Sequence, residues 1–194
     1  MYYILVFFTS LITLIPIKIL YAFSYYITKI IFSFWKEKYN NVKENYGIVL
    51  SKKTGSAPSA DELKGIIDAN LKNYAMFSVE FLYLNKMVKK GLIPDIRGKE
   101  KLDEALKKEK GVIMCTLHFS NWDIAGLTIS SHYGNVWAVA DDLGGGYSKF
   151  IQETRGKYGI NIVLPNKNLK DAYRCLENNG ILNVLVDRPV LPSE

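Results

Sequence analysis

The chain has 194 residues, which is enough for one α/β domain with a membrane segment, and a second full domain is not expected. Its 25 basic and 19 acidic residues leave a net charge of +6, with a pI of about 9.1. This surplus favours acidic partners, and because no nucleic-acid-binding motif accompanies it, anionic lipid head groups or an acidic carrier protein are expected rather than nucleic acid. The two cysteines, Cys115 and Cys175, give no disulfide framework and favour a reduced domain on the cytoplasmic side.

The first 35 residues predict a membrane anchor. Residues 1–17 carry no charged side chain and would span about 25 Å as one helix, just enough to insert. Residues 19–35 show an apolar helical stripe typical of a helix in the membrane interface, although a buried core helix would look similar. Lysines follow at positions 36, 38, 43, 52 and 53, as on a cytoplasmic flank, and no signal-peptide cleavage site is evident. We therefore expect an uncleaved anchor in the inner or plasma membrane, with the domain on the cytoplasmic side.

Residues 36–194 predict an α/β domain. Ser59 and Glu62 form a capping box that starts a helix running to near Gly91. Beyond it, strands are predicted at 111–117, 135–140, 160–164 and 181–186, and helices at 99–109, 121–131, 147–158 and 168–178. This alternation predicts a mostly parallel central sheet flanked by helices. The first strand is an apolar run, so it is expected in the interior, with Cys115 buried.

The string HFSNWD at 118–123 is the strongest candidate for chemistry. His118 follows the first predicted strand, at the edge where open α/β sheets place their ligand crevices. Asn121 is suited to cap the next helix, which puts Asp123 in the first turn of that helix. A carboxylate on one imidazole nitrogen leaves the other nitrogen free to accept a proton. The alternative is a structural histidine in a strand-to-helix turn, with Asp123 as a helix N-terminal charge.

The segment GVIMCTLHFSNWDIAG at 111–126 resembles the signature of the late lipid A acyltransferases, the lauroyl and myristoyl transferases of the lysophospholipid acyltransferase superfamily. Their hallmark is a His, four residues, then Asp or Glu. Weaker similarity covers residues 36–50, 71–84, 149–163 and 180–189. The resemblance implies an O-acyltransferase without a cofactor, which moves a fatty acyl group from an acyl carrier protein or coenzyme A thioester to a hydroxyl of a glycolipid or lysophospholipid. It also implies that His118 is the general base and that Asp123 orients it.

Four further residues are candidate substrate contacts: Asn121, Gly145, Arg155 and Asp187. Gly145 lies in a glycine run that would let a substrate approach backbone donors, or would simply form a turn before a helix. Arg155 falls where the resembling family carries basic residues and would hold an anionic group, although a solvated helix face explains it equally well. Asp187 matches an acidic family position, with a structural loop role as the alternative. His132 with His118 and Asp123 lacks the spacing of a metal set, so no metal is expected.

Two other functions remain open on the sequence. One is a noncatalytic, membrane-associated lipid-binding protein or an inactive acyltransferase remnant, because relatives usually continue well beyond residue 189 and the chain is expected to be truncated. The other is a hydrolase that uses Ser120, but the residues around it lack the G-x-S-x-G pattern.

Overall fold

The computed structural model describes residues 1–188. Five helices precede the first strand: α1 (Tyr2–Ile12), α2 (Ile17–Phe34), α3 (Lys36–Thr54), α4 (Ala60–Lys89) and α5 (Lys99–Leu106). Strands and helices then alternate: β1 (Val112–Thr116), α6 (Trp122–Tyr133), β2 (Val136–Val139), α7 (Gly145–Gly156), β3 (Ile160–Val163), α8 (Pro165–Asn168), α9 (Lys170–Glu177) and β4 (Ile181–Leu185). The contacts define two compact units, a helical unit from Leu11 to Tyr83 and a sheet unit of Met1–Ser10 with the chain from Leu84 onward.

The helical unit is organised by α4. The predicted cap is confirmed, because Ser59 Oγ accepts a hydrogen bond from the backbone N–H of Glu62 at 3.2 Å. From there α4 buries one residue every four positions, as a helix with a single core-facing stripe does: Ile67, Leu71, Ala75, Val79 and Tyr83. Polar bonds tie α3 and the start of α2 to this helix, from Asn70 Nδ2 to Tyr46 Oη at 2.9 Å and from Tyr83 Oη to the carbonyl of Ile15 at 2.8 Å.

The prediction of one helix over residues 1–17 is wrong. Helix α1 ends at Ile12, and α2 begins only after Pro16, which has extended backbone angles. Proline also disfavours helical geometry in the residue before it, so one helix does not continue through this position. Among the described residues, α2 is the one helix long and apolar enough to cross a membrane, whereas α1 is apolar but has only 11 residues. The lysine-rich stretch after Phe34, which the sequence pattern does not predict to be helical, forms α3.

The sheet unit confirms the predicted α/β architecture. All four strands are parallel, in the order β1-β4-β2-β3, and each lies within one residue of its predicted bounds. One core cluster packs α9 against the sheet through Ala172, Cys175, Val163 and Leu182. A second cluster contains Ile129, Val136 and Ile181, with side chains of α5 packed against it. Helices therefore cover the sheet on both faces.

Strand β1 lies at the edge of this sheet, and the expectation that it is interior is wrong. Its residues alternate between partly buried and exposed, so that Ile113 and Cys115 are exposed while Met114 packs against the second core cluster. Because β1 is at the edge, it is outside the cluster that packs α9 against the sheet, so only its other side is buried. Cys175, by contrast, is buried, and burial raises the pKa of its thiol to about 11.

Candidate active site

The HFSNWD segment contains part of the loop between β1 and α6 and the first two residues of α6. Strand β1 ends at Thr116, and Ser120 takes a positive φ of 56° as the chain turns toward the helix. The predicted cap is confirmed, because Asn121 Oδ1 accepts a hydrogen bond from the backbone N–H of Ile124 at 3.1 Å. This turn leaves His118 at the carboxyl edge of the sheet.

His118 meets a carboxylate from the neighbouring strand. Thr116 at the end of β1 pairs with Leu185 at the end of β4, so the two following loops leave the sheet side by side. Asp187 Oδ1 lies 2.7 Å from His118 Nδ1, and Asp187 Oδ2 accepts the backbone N–H of His118 at 2.9 Å. The hydrogen bond from the His118 side chain holds the pKa of Asp187 below its usual value, against the opposing effect of desolvation. Asp187 is therefore ionised at neutral pH.

This arrangement leaves one imidazole nitrogen free. A carboxylate at Nδ1 favours the tautomer that carries its proton there, so Nε2 presents a lone pair. The ring of Trp122 stands edge-on to the imidazole, with 5.1 Å between the ring centroids. The His118 side chain is 22% exposed, so that a substrate can reach it. The pair is suited to accept a proton from a hydroxyl.

Asp123 is paired with Arg155, and the structure does not bring it to His118. Asp123 Oδ1 accepts a hydrogen bond from Arg155 Nε at 2.7 Å, with the two side chains 5% and 19% exposed. Helix α6 contributes the acid in its first turn, and α7 contributes the arginine in its last turn. The interpretation of Arg155 as an ordinary solvated helix side chain is therefore wrong.

Gly145 lies elsewhere, at the start of α7. It lines a cavity of about 400 Å³ together with Asp142, Lys149 and Lys167, none of which is a member of the His118 or Asp123 pair. Asp142 accepts hydrogen bonds from the backbone N–H of Gly144 at 3.0 Å, from Ser148 Oγ at 2.8 Å and from Lys167. The bond from Lys167, followed by that from Gly144, lowers the pKa of Asp142 to about 2. The Asp142 carboxylate thus already places a negative charge at the start of α7.

His132 is outside the site. Its Nδ1 lies 2.8 Å from the carbonyl oxygen of Thr128, within its own helix. Over residues 1–188, no group of three His, Cys, Asp or Glu side chains is arranged to hold a metal ion.

The two pairings, His118 with Asp187 and Asp123 with Arg155, are what the sequence reasoning missed. The sequence identifies all four residues as candidates, but the short distance along the chain favours a pair of His118 with Asp123, which is wrong. The available signal was that both His118 and Asp187 directly follow a predicted strand, and the carboxyl ends of parallel strands meet at one edge.

Comparison with known families gives one match. A family model described as "Bacterial lipid A biosynthesis acyltransferase" matches residues 1–194, the whole chain. No curated protein matches the chain.

Proposed function

The chain belongs to the bacterial lipid A biosynthesis acyltransferase family, and from that premise we propose which chemistry its site performs. The family supports a membrane-associated acyltransferase in general terms. We propose that the acyl donor is an acyl carrier protein or coenzyme A thioester and that the acceptor is a hydroxyl of a glycolipid or lysophospholipid. The observation that carries the proposal is the hydrogen-bonded pair of His118 and Asp187 at the carboxyl edge of the sheet.

In the proposed reaction His118 is the general base. Its Nε2 takes the proton of the acceptor hydroxyl while the oxygen attacks the carbonyl carbon of the thioester. The carbon–sulfur bond then breaks, and the proton held by His118 passes to the departing thiolate. Asp187 fixes the tautomer and stabilises the imidazolium that exists between the two transfers. No side-chain nucleophile is needed.

Asp123 and Arg155 have a separate role in this proposal. The buried carboxylate holds Arg155 in place through Nε, and the Nη groups of the guanidinium are proposed to bind an anionic substrate group or the oxyanion. The earlier hypothesis, in which Asp123 itself orients His118, requires Asp123 to leave Arg155. Asn121, whose side chain caps α6, and Gly145, which lines the cavity at the start of α7, remain proposed substrate contacts.

We further propose that the protein acts at the cytoplasmic face of the inner or plasma membrane. The lysines of α3 directly follow the apolar helix α2, which is the charge distribution of a cytoplasmic flank.

Turnover tests the proposed reaction. Membranes that contain the protein are incubated with a labelled acyl thioester, on carrier protein or on coenzyme A, and with a total lipid extract. We expect a new acylated lipid, and we expect His118→Ala to lower its rate of formation about a hundredfold or more, the usual scale for loss of a general base. His132→Ala is the matched control, since it removes the other histidine.

Two results would count against the proposal. Near-normal transfer by folded His118→Ala protein would exclude the histidine mechanism. Absence of any product with the unmodified protein, under conditions in which it binds lipid, would favour the noncatalytic alternative.

A further inference from the structure

The helical unit contains a second cavity that the acyl-transfer site does not use. Its volume is about 300 Å³, and α2, α3 and α4 all contribute to its walls. Its floor is apolar, formed in part by Phe32 and by Leu71, which is 2% exposed. Three lysines also line the cavity: Lys29, Lys36 and Lys64.

The charges of this cavity are not balanced. Asp68 is the one carboxylate among its lining residues, and its Oδ1 lies 3.5 Å from Lys29 Nζ. Over the described chain, Lys36 and Lys64 have neither a hydrogen bond nor an ion pair from their side chains, so three positive charges against one negative leave a surplus of two. Two unpaired ammonium groups beside an apolar floor favour a ligand that is anionic at one end and apolar at the other.

Helix α2 also carries an exposed apolar surface suited to lipid, on a different face from its cavity-lining residues. Helix α2 buries none of its residues, and its exposed stripe includes Phe23, Ile27, Ile30 and Phe34. Trp35 follows directly and is also exposed, at the position of an aromatic residue that marks the level of the head groups. Lys36, the first residue of α3, comes next, so this lysine of the cavity lies at the level expected for the head groups.

We propose that this cavity, which we term the lysine cleft (Lys29, Lys36, Lys64 and Asp68), binds the phosphate of an anionic phospholipid. In this arrangement Lys36 and Lys64 contact the phosphate oxygens, and the apolar part of the lipid contacts the apolar lining of the cavity, which includes Phe32 and Leu71. An acidic carrier protein would satisfy the lysines but would leave that apolar lining uncovered. The site is independent of His118, so its test measures binding rather than turnover.

The experiment uses the full chain, delipidated in neutral detergent and titrated with phosphatidylglycerol or phosphatidylcholine, with bound lipid counted by native mass spectrometry. Detergent removes the bulk surface potential, so remote lysines contribute little. Each lysine near a lipid phosphate contributes about fivefold, so Lys36→Gln/Lys64→Gln should lower the preference for phosphatidylglycerol about twenty-five-fold. The matched control is Lys52→Gln/Lys53→Gln, which removes the same charge from the last turn of α3 outside the cavity and should keep the preference.

A variant that is expected to bind more strongly distinguishes loss of the site from loss of folding, because a misfolded protein would not gain preference for phosphatidylglycerol. Asp68→Asn removes the one carboxylate of the lysine cleft and frees Lys29, so it should increase the preference for phosphatidylglycerol. Equal preference in the unmodified protein and in Lys36→Gln/Lys64→Gln would overturn the proposal, as would an equal loss in the Lys52/Lys53 control. Loss of acidic carrier-protein binding in Lys36→Gln/Lys64→Gln, with lipid preference unchanged, would also overturn it and assign the cleft to the carrier.

Discussion

Two acids, Asp123 and Asp187, are candidate partners for His118. How deeply each carboxylate is buried determines which group it pairs with. The Asp123 side chain is 5% exposed, and an ionised carboxylate so far from water requires a cation, which Arg155 supplies at 2.7 Å. The Asp187 side chain is 31% exposed, so it stays ionised without a dedicated cation and is free to bond the imidazole. The stable arrangement is therefore one acid with the arginine and the other with the histidine.

Replacing the two acids should separate these roles. Asp187→Asn should lower kcat about a hundredfold, because the amide no longer stabilises the imidazolium, and the melting temperature should change little because the residue lies on an open loop. Asp123→Asn should cost about 3 kcal/mol of folding stability, since it leaves a largely buried guanidinium without its counterion. Steady-state kinetics and thermal unfolding of both variants check the expectation.

The double variant Asp123→Asn/Arg155→Met is the control for that prediction. It removes both charges together and should recover part of the lost stability. If Asp123→Asn instead melted normally and lost as much kcat as Asp187→Asn, the orienting role would return to Asp123.

The residues of the site could be found from the sequence, but their pairing could not. His118 and Asp123 are five positions apart, and a strand-to-helix turn makes contact between them plausible. Asp187 is 69 positions from His118, and it reaches the imidazole only because β4 is inserted next to β1 in the sheet. Strand order depends on tertiary packing, which local periodicity does not report.

At the level of elements, the sheet unit was predictable and the N-terminal helices were less so. Short apolar runs between glycines and polar turns predict all four strands, because parallel strands packed under helices consist largely of apolar residues. The break between α1 and α2 depends on Pro16, whereas the uncharged run over residues 1–17 favours one continuous helix. Helix α3 has little amphipathic pattern and no buried residue, so hydrophobic periodicity gave no signal for it.

The stability that the Asp142 carboxylate contributes at the start of α7 should depend on pH in a defined direction. Asp142 has a folded pKa of about 2 against 3.8 for the free carboxyl, chiefly through Lys167. A lowered pKa contributes stability above the unfolded value, and this stability is lost as pH falls from about 3.8 towards about 2. Asp142→Asn should therefore be less stable than the unmodified protein at neutral pH, and the difference should shrink over that acidic range.

Chemical unfolding followed by circular dichroism at a series of pH values measures this difference. Asp141→Asn is the matched control, an exposed neighbour with the same charge change. A constant difference between Asp142→Asn and the unmodified protein from neutral pH to pH 2 would show that the carboxylate does not supply the stabilisation.

The whole molecule combines two sources of membrane affinity that respond differently to salt. The net charge of +6 attracts the chain to anionic surfaces, and this attraction is screened within about 3 Å at 1 M salt. The exposed apolar stripe of α2 attracts it to the hydrocarbon region, and this attraction is not screened. Extraction at high salt therefore distinguishes insertion from surface adsorption.

We expect the protein to remain in the membrane pellet after washing with 1 M salt, because burial of the α2 stripe is unaffected by ions. Substituting Phe23, Ile27 and Ile30 together by serine should make the chain extractable, since each large apolar side chain left out of lipid forfeits about 2 kcal/mol. Lys52→Gln/Lys53→Gln should stay in the pellet, because it alters only the screened component. Immunoblots of pellet and supernatant measure the outcome.

Release of the unmodified chain by salt would mean that binding is electrostatic alone, and full retention of the serine variant would place the anchor in α1 instead.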